Sequence, residues 1–223
     1  MKNIPTDWTF KSANVVNQFD QHVREQLPWY DLATGLVAHI VRHYLPENGL
    51  IYDIGASTGN IERSIASVLE KRKATFVPID NSEEMAKKYA GSSNVIICEA
   101  DKYDYQFFDM AILFLVLQFM TIESRKNLLK QLVSKIKPGG AIIIFDKMIV
   151  DGGFASTVLR RATIAGKVAS GTSSDEIVAK ELSLGGAQRP LPDKFYLNTI
   201  SSSSPIEIFR FGEFAGYLIE RPE

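Results

Sequence analysis

The segment Ile51-Tyr52-Asp53-Ile54-Gly55-Ala56-Ser57-Thr58-Gly59 decides the fold of this chain. It joins an apolar run to an acid and two glycines four residues apart, which predicts a strand, a tight turn and the start of a helix. Twenty-one residues after Gly59, Asp80 ends the next apolar run. An acid at the end of the second strand of such a unit accepts hydrogen bonds from ribose hydroxyls, so the pattern predicts a site for an adenosine-containing cofactor.

The acid and the glycine spacing indicate which cofactor this turn accepts. A dinucleotide site has the pattern Gly-x-Gly-x-x-Gly, which lets a pyrophosphate lie at the helix N-terminus. Here Ser57 replaces the middle glycine, and Asp53 would repel a pyrophosphate but attract the ammonium group of a methionine moiety. The pattern Asp-x-Gly-x-x-x-Gly therefore favours S-adenosyl-L-methionine (SAM), and a nicotinamide cofactor is the alternative.

The composition is that of an ordinary globular protein. The 223 residues suffice for one domain, 1–223, and 45% of them are hydrophobic while 23% are charged. The formal net charge of −1 gives no global field that would attract nucleic acid, although a local basic patch is compatible with it. We therefore expect a small-molecule partner, with nucleic acid as an alternative. The apolar run 110–120 is about half as long as a membrane span, so no membrane association is predicted.

The single cysteine, Cys98, excludes an internal disulfide and a cysteine-based zinc site. We predict no metal, and the cysteine usage suits a reducing cytoplasm. Cys98 ends the apolar run 95–98, which favours a small core residue over a nucleophile.

Apolar runs of strand length alternate with segments of helical periodicity after residue 50. The strand runs are nearly continuous in apolar residues, as is typical of a parallel sheet covered on both faces. We therefore predict an α/β fold with a doubly wound, mainly parallel seven-stranded sheet that ends in an antiparallel hairpin around Gly212. The predicted strands are 50–54, 74–79, 94–98, 108–114, 140–146, 206–211 and 214–220, and the helices between them are 60–72, 82–90 and 123–136.

Two groups of helices flank this alternating core. Residues 151–205 interrupt the alternation and contain a loop rich in proline and serine. We expect the N-terminal helices, within residues 12–45, and this insert to form the side of the site that a second substrate enters. The predicted helices are 12–27 and 31–44 near the N-terminus, and 158–169 and 174–184 in the insert.

Short motifs in a fixed order along the chain resemble two related groups of proteins. The motifs Asp80-Asn81-Ser82, Glu99-Ala100-Asp101, Leu117-Gln118-Phe119 and Lys137-Pro138-Gly139-Gly140 are similar in order and position to those of class I SAM-dependent methyltransferases. The elements Asp7-Trp8-Thr9-Phe10, Phe19-Asp20-Gln21-His22-Val23 and Leu27-Pro28-Trp29-Tyr30 resemble the carboxy-S-adenosylmethionine (carboxy-SAM) synthases and their methyltransferase relatives. Those synthases convert SAM and prephenate to carboxy-SAM, which serves the modification of wobble uridine in tRNA.

The resemblance implies contacts for every part of SAM, with S-adenosylhomocysteine as the product of methyl transfer. Acids at strand ends suit the hydrogen-bond donors of SAM, and backbone N–H groups of the turn suit its carboxylate. The residues so implied are Tyr30 for the cofactor generally, Asp53, Gly55, Ala56, Ser57 and Gly59 for the methionine part, Asp80 and Asn81 for the ribose, and Asp101 and Lys102 for the adenine.

Two positions depart from the synthase pattern. Phe114 stands where the synthases carry an asparagine, three residues before the Leu-Gln-Phe element. Glu181 stands where they carry an arginine that pairs with the extra carboxylate of the product, and an acid would repel that carboxylate. Lys180 and Arg189 are the cations that could replace the arginine. This departure favours ordinary methyl transfer over carboxy-SAM synthesis.

Methyl transfer from SAM is an in-line displacement, which depends on alignment more than on acid–base chemistry. A base is required only where the acceptor is protonated, and Tyr30 and His22 are the candidates. We therefore predict a SAM-dependent methyltransferase with an unidentified small-molecule acceptor. The alternatives are a carboxy-SAM synthase and a SAM-binding regulator without turnover.

Three groups of residues keep two interpretations each. A glutamine after the fourth strand belongs either to the methyl pocket or to a polar loop. Three basic residues on one predicted helix form either a solvated face or a contact for an acceptor or RNA. Three phenylalanines of the hairpin belong either to the core or to a homodimer interface. These residues are, in turn, Gln118; Arg160, Arg161 and Lys167; and Phe209, Phe211 and Phe214.

Overall fold

The computed structural model describes residues 19–150, 152–192, 197 and 204–223. The first part of the predicted helix 12–27, the motif Asp7-Trp8-Thr9-Phe10 and most of the loop at the end of the insert lie outside these residues. The helices are α1 (Phe19–Gln26), α2 (Tyr30–Tyr44), α3 (Asn60–Arg72), α4 (Glu83–Lys87), α5 (Ile122–Lys135), α6 (Gly153–Ala169) and α7 (Ser174–Ser183). The strands are β1 (Leu50–Ile54), β2 (Thr75–Asp80), β3 (Ile96–Ile97), β4 (Phe108–Phe114), β5 (Ile136–Lys147), β6 (Ile206–Phe211) and β7 (Phe214–Glu220).

These strands form one sheet with the order β3-β2-β1-β4-β5-β7-β6. The first five pair in parallel, while β7 runs antiparallel to both of its neighbours, β5 and β6. The predicted fold class is therefore confirmed. The chain leaves β1 toward β2 on one side and returns to β4 on the other, and doubly wound sheets bind their ligands at the carboxyl edge beside such a reversal.

The core lies in two layers, one on each face of the sheet. Side chains of successive strand residues point to opposite faces, so Ile51 packs in the layer beneath α2 and α3 while Tyr52 packs in the layer beneath α5. All seven residues of β4 are buried. This central position explains why the strand is a continuous apolar run in the sequence.

Two elements near the edge of the sheet are shorter than predicted. The strand predicted at 94–98 has only the residues Ile96–Ile97, and its side chains are exposed because β3 is the last strand on its side. The helix predicted at 82–90 ends at Lys87. Beyond Lys87, the hydroxyl of Tyr89 donates a hydrogen bond of 2.5 Å to Glu62 on α3. This contact ties the chain to α3, so it does not continue along the axis of α4.

The fifth strand begins earlier than predicted, at Ile136 instead of 140. The run Pro138-Gly139-Gly140 lies inside the strand, where the pairing between β4 and β5 shifts register after Phe108. A proline followed by glycines at a bulge within a strand looks the same in the sequence as a turn before it.

Helix α1 connects the insert to the glycine turn. The hydroxyl groups of Ser170 and Thr172, which follow α6, donate to the backbone carbonyl of Glu25 at 2.5 and 3.1 Å. Toward the other side, Asp20 accepts a hydrogen bond of 2.5 Å from Thr58 in the turn after β1. The N-terminal helix is therefore held at both of its sides.

The phenylalanines of the hairpin pack in or against the core. Phe209 and Phe214 pack against Trp29 with ring centroids 5.3 and 5.1 Å apart, and Phe209 also lies 5.6 Å from Phe145. Phe211 packs against the same core layer. The core interpretation is confirmed for Phe214, which is buried, whereas Phe209 and Phe211 are half-buried on the edge strand β6.

Candidate active site

A cavity of about 360 Å³ lies at the carboxyl edge of β1, β2 and β4. Its walls come from α1, the start of α2, the loops after these three strands, the end of β5, and the helices α6 and α7. The volume falls within the range of small-molecule sites. The cavity therefore joins the predicted cofactor residues to the insert.

The turn after β1 uses its own amides to hold its shape. The N–H groups of Gly55 and Ala56 donate to the carbonyl of Ile79 at 2.7 and 3.0 Å, and the N–H group of Ser57 donates to the carboxylate of Asp80 at 2.8 Å. The structure thus does not support the prediction that these amides bind the carboxylate of SAM. Their role is to fix the turn that forms one wall of the cavity.

Asp53 is a buried acid in the cavity wall. It is 1% exposed, and among the described residues its Oδ2 atom has no hydrogen-bond partner. Burial, followed by the carboxylates of Asp80 and Glu62, raises the pKa of Asp53 to about 8. A cation in the cavity would relieve this cost, because a buried acid is stabilised in its charged form by an opposite charge. The site therefore fits the ammonium group of SAM.

Asp80 and Asn81 line the cavity at the end of β2, together with Glu99 after β3. The two carboxylate oxygens of Asp80 accept the N–H groups of Ser57 and Ser82, both at 2.8 Å, although burial raises the pKa of this acid. The amide of Asn81 donates to both oxygens of Glu99 at 3.2 Å. The pair predicted for the ribose is thus joined by Glu99, a third polar group that the sequence did not single out.

Three predicted cofactor residues do not line the cavity. Gly59 lies at the start of α3 with a φ of 83°, where it lets the chain enter the helix. Asp101 is buried in a short 3-10 turn, 3.7 Å from the amino group of Lys102. The loop after β3 contributes Glu99 and Ala100 to the wall instead. The assignment of Asp101 and Lys102 to the adenine therefore stays a prediction, and Glu99 is a second acid of the same loop that lines the cavity.

The two candidate bases, Tyr30 and His22, both line the cavity. The Tyr30 ring meets Phe114 edge-on with centroids 5.4 Å apart, and the guanidinium of Arg24 lies 5.4 Å from its centre. Burial, followed by the charge of Asp20, raises the pKa of the Tyr30 hydroxyl above its ordinary value. Tyr30 thus stays protonated at neutral pH, which leaves His22 as the predicted base.

The far end of the cavity holds a group that we call the lysine cluster: Lys147, Lys167 and Lys180 around Glu181. The three lysines are 7%, 6% and 8% exposed, and all four residues line the cavity. The amino group of Lys167 lies 2.9 Å from one oxygen of Glu181, and that of Lys147 lies 3.6 Å from the other and 3.9 Å from Glu213. Burial, and then the charge of Lys167, lowers the pKa of Lys180 to about 6.

The position of Lys167 corrects the interpretation of α6 as a wholly solvated face. Arg160 and Arg161 are exposed, as that interpretation requires, but Lys167 is buried. Glu181 on α7 supplies the carboxylate that compensates it. Only the packing of the two helices brings these groups together, and the helical pattern of α6 does not show it.

The ion pairs of Glu181 also overturn the expectation that it repels a carboxylate. Although burial acts in the opposite direction, Lys147 and Lys167 hold the pKa of Glu181 below its usual range. The acid is thus compensated by two cations rather than presented bare to a ligand. Of the two proposed substitutes for the family arginine, Lys180 lines the cavity and Arg189 does not.

Gln118 belongs to the cavity wall rather than to a polar loop. It is 2% exposed and accepts a hydrogen bond of 3.0 Å from Gln188, which in turn accepts one of 3.3 Å from Lys147. The N–H groups of Leu117 and Gln118 donate to the buried carboxyl of Asp146 at 2.8 and 3.2 Å. The loop after β4 is thereby attached to β5.

Cys98 also lines the cavity but is half-buried rather than fully in the core. Burial raises the pKa of its thiol, so it is not an activated nucleophile. Within the part of the chain that the structure describes, no cluster of histidine, cysteine, aspartate or glutamate side chains could hold a metal ion. None of the helices in that part is both long and apolar enough to span a bilayer.

Comparison with known proteins places this site in a family. A family model described as a methyltransferase domain matches residues 52–144. The carboxy-S-adenosyl-L-methionine synthase of Staphylococcus epidermidis is 31% identical over 224 residues, which cover 96% of this chain and 97% of that protein. The chain belongs to the carboxy-SAM synthase family. Another protein of the carboxy-SAM synthase family, from Shewanella denitrificans, is 28% identical over 193 residues, 82% of this chain and 79% of that protein.

Solved structures show which fold this chain shares. Human N-acetylserotonin methyltransferase in complex with SAM matches 99% of this chain and 61% of its own, with a TM-score of 0.62 and 14% identity. A SAM-dependent methyltransferase from Clostridium acetobutylicum matches 93% of this chain and 99% of its own, with a TM-score of 0.61 and 12% identity. At these identities the likeness concerns the fold alone, which is that of the class I methyltransferases.

Proposed function

We propose that this member of the carboxy-SAM synthase family binds SAM at the carboxyl edge of its sheet and transfers the methyl group to a small-molecule acceptor. SAM is the cofactor that the family membership implies. The observation that carries the proposal is Asp53, a buried acid in the cavity wall with an oxygen that has no partner among the described residues. Such an acid requires a cationic ligand to be charged at neutral pH.

The residues on the cofactor side of the cavity would bind SAM and orient it. When bound, SAM supplies a methyl carbon that its positively charged sulfur activates. Asp53 would neutralise the ammonium group, and Asp80, Asn81 and Glu99 offer acceptors and a donor for the ribose hydroxyls. Because transfer depends on alignment, the fixed turn after β1 would help to hold SAM in one position.

The acceptor side is formed by α1 and the described part of the insert. The rings of Tyr30 and Phe114 contact each other and line the cavity, so they would keep water away from a bound ligand. His22 lies on the same cavity and would take the proton of a protic acceptor. We propose that residues 12–45 and 151–205 together determine which acceptor binds, within a single domain 1–223.

Mass spectrometry of the small molecules released from the purified, denatured protein tests the cofactor. We expect SAM or S-adenosylhomocysteine, and recovery of a nicotinamide dinucleotide would overturn the proposal. Acceptors are then screened by measuring the formation of S-adenosylhomocysteine.

The role of Asp53 is tested by titrating SAM calorimetrically into the wild type and Asp53→Asn. We expect a 10- to 100-fold loss of affinity, since a hydrogen bond to a charged group contributes about 1.5–3 kcal/mol. The matched control is Asp104→Asn, at an exposed acid outside the cavity, which should bind SAM as the wild type does. Unchanged affinity in Asp53→Asn would remove the observation on which the proposal rests.

Carboxy-SAM synthesis is the second candidate, and the lysine cluster favours it. Three buried lysines beside the cavity could hold the extra carboxylate that an arginine holds in the synthases, and Lys180 is among them. Incubation with SAM and prephenate, followed by mass spectrometry, separates the candidates. Carboxy-SAM among the products supports synthesis and would connect the protein to tRNA modification, whereas its absence leaves methyl transfer.

Two finer predictions belong to this proposal. We propose a cytoplasmic protein that forms a homodimer, which light scattering of the purified chain tests. A SAM-binding regulator is the remaining alternative from the sequence, and no observation favours it.

A further inference from the structure

Gln26 is a buried polar residue on the side of α1 that lines the cavity. The cavity-lining residues of this segment are Phe19, His22, Val23, Gln26 and Leu27, at the spacing of one helix face. Gln26 is 8% exposed. Glutamine is mostly found at protein surfaces, and buried polar groups are normally hydrogen-bonded. A glutamine at this place therefore requires a partner for each end of its amide.

The hydrogen bonds around Thr172 fix the direction of the Gln26 amide. The hydroxyl of Thr172 has one proton, which it donates to the backbone carbonyl of Glu25 at 3.1 Å. Thr172 can therefore only accept a hydrogen bond from Gln26, whose Nε2 atom lies 3.5 Å away. This network assigns the nitrogen of the amide to Thr172, so the oxygen, Oε1, lies at the other end.

The Oε1 atom of Gln26 is buried, and among the described residues it has no hydrogen-bond partner. A buried acceptor without a partner destabilises the folded state, because it has lost its hydrogen bonds to water. A hydrogen-bond donor in the cavity would remove this cost. Unlike the carboxylate of Asp53, the neutral amide oxygen needs no cation and accepts from O–H and N–H groups alike.

The location of Gln26 assigns this donor to the second substrate rather than to SAM. Its amide contacts Thr172, which lies between α6 and α7, so Gln26 stands where α1 meets the insert. Asp53 and Asp80, in contrast, lie at the ends of β1 and β2. His22, the predicted base, precedes Gln26 by one turn on the same face of α1.

We propose that Gln26 is a specificity residue that accepts a hydrogen bond from the second substrate, which therefore carries an O–H or N–H group at this wall of the cavity. This inference rests on the proposed function, because it names the substrate class of the same site. A molecule that presents only apolar or acceptor groups here would leave Oε1 unpaired and bind less tightly.

Two pairs of probes with nearly equal shapes test the inference on the wild-type protein. Phenol and fluorobenzene differ in an O–H group, and indole and benzofuran differ in an N–H group. Calorimetric titrations are run with and without S-adenosylhomocysteine. We expect the donor of at least one pair to bind about threefold to tenfold more tightly than its partner, as one hydrogen bond allows. The pair that shows the preference distinguishes a hydroxyl from an N–H substrate, and equal binding within both pairs overturns the inference.

The variant Gln26→Met keeps the length of the side chain and removes both ends of the amide. We expect the preference for donors to disappear. The ligand-free variant should unfold about 2 °C or more above the wild type, because a buried acceptor without a partner has been removed. The matched control is Gln21→Met, at an exposed glutamine of the same helix outside the cavity wall. It should keep the preference and unfold within about 1 °C of the wild type, since it loses only an exposed hydrogen bond to Glu25.

Two results for Gln26→Met contradict the assignment. A donor preference that survives in this variant shows that the group lies elsewhere. A lower unfolding temperature than that of the wild type, or failure to fold, shows that the amide has a structural role. The thermal comparison needs no probe, so it decides the matter if none of the four probes binds.

Failure of this inference and failure of the proposed function give different results. If SAM binds but donors and their partners bind alike, only the role of Gln26 is wrong. If donors bind selectively but SAM does not, the role of Gln26 stands and the proposed function fails.

Discussion

Asp53 connects the stability of the ligand-free protein to pH. Its pKa is about 8 in the folded chain and about 4 when unfolded, so between these values the folded state holds a proton that the unfolded state has lost. The contribution of Asp53 to stability is therefore fully present below about pH 4 and is lost as the pH rises from there through 8. Asp146, whose pKa burial raises to about 7, acts in the same direction.

We therefore expect the free energy of unfolding of the ligand-free protein to fall between pH 5 and pH 8. The contribution of Asp53 has a slope of at most about 1.4 kcal/mol per pH unit. The free energy of unfolding of the variant Asp53→Asn should fall less steeply, and this variant should be more stable than the wild type at pH 8. Urea denaturation at pH 5, 6, 7 and 8 measures this, and two parallel curves would contradict the raised pKa.

At the scale of residues, the sequence predicts which groups line the cavity better than it predicts their interactions. Asp53, Asp80 and Asn81 lie at the ends of strands that are easily recognised, and the structure places all three in the cavity wall. Glu99 was not distinguished from Asp101, because the direction of a loop depends on its packing. The pKa of Tyr30 likewise depends on burial, which no local pattern shows.

At the scale of elements, the turn after β1 depends on the absence of a side chain at Gly55. The residue has a φ of 76°, and a Cβ there would lie 2.5 Å from Val116 in the loop after β4. Both the backbone strain and the overlap oppose any larger residue.

We expect Gly55→Ala to destabilise the protein by about 2 kcal/mol or more, and to weaken SAM binding because the turn shifts. Gly35→Ala is the control, since a Cβ at this exposed position of α2 meets nothing within 4 Å. Alanine there should stabilise the helix by about 0.5–1 kcal/mol. Thermal unfolding of both variants measures the contrast, and equal effects would show that Gly55 is not required.

Four strands have the predicted residues, namely β1, β4 and the two strands of the hairpin, β6 and β7, whereas β3 and β5 differ from the prediction. The central β1 and β4 have the predicted residues, because burial on both faces leaves an unbroken apolar run. The edge strand β3 is shorter than predicted, since exposed edge residues carry no such constraint. The burial of Lys167 on α6 was missed because it depends on α7, a partner that the periodicity of one helix does not reveal.

At the scale of the whole molecule, α1 couples the insert to the cofactor turn. It receives hydrogen bonds from Ser170 and Thr172 on one side and from Thr58 on the other. Segments that share such contacts open together rather than one at a time.

We expect residues 19–27 and 166–184 to gain protection from hydrogen exchange together when S-adenosylhomocysteine binds. The double variant Ser170→Ala and Thr172→Val should raise exchange in both segments, since each lost hydrogen bond costs about 1 kcal/mol. Ser134→Ala removes a similar bond at the exposed end of α5 and should change neither segment. Mass spectrometry measures the exchange of each segment. Independent changes in the two segments would contradict the coupling.

The uncompensated oxygen of Asp53 has a consequence for the life of the protein in the cell. A ligand at 100 times its dissociation constant stabilises the folded state by about 2.7 kcal/mol, which lowers the unfolded fraction about 100-fold. Proteases degrade that fraction, so abundance follows occupancy. The enzyme would persist while methionine is plentiful and be cleared soonest in starved cells, and its half-life would thus report the supply of methyl groups.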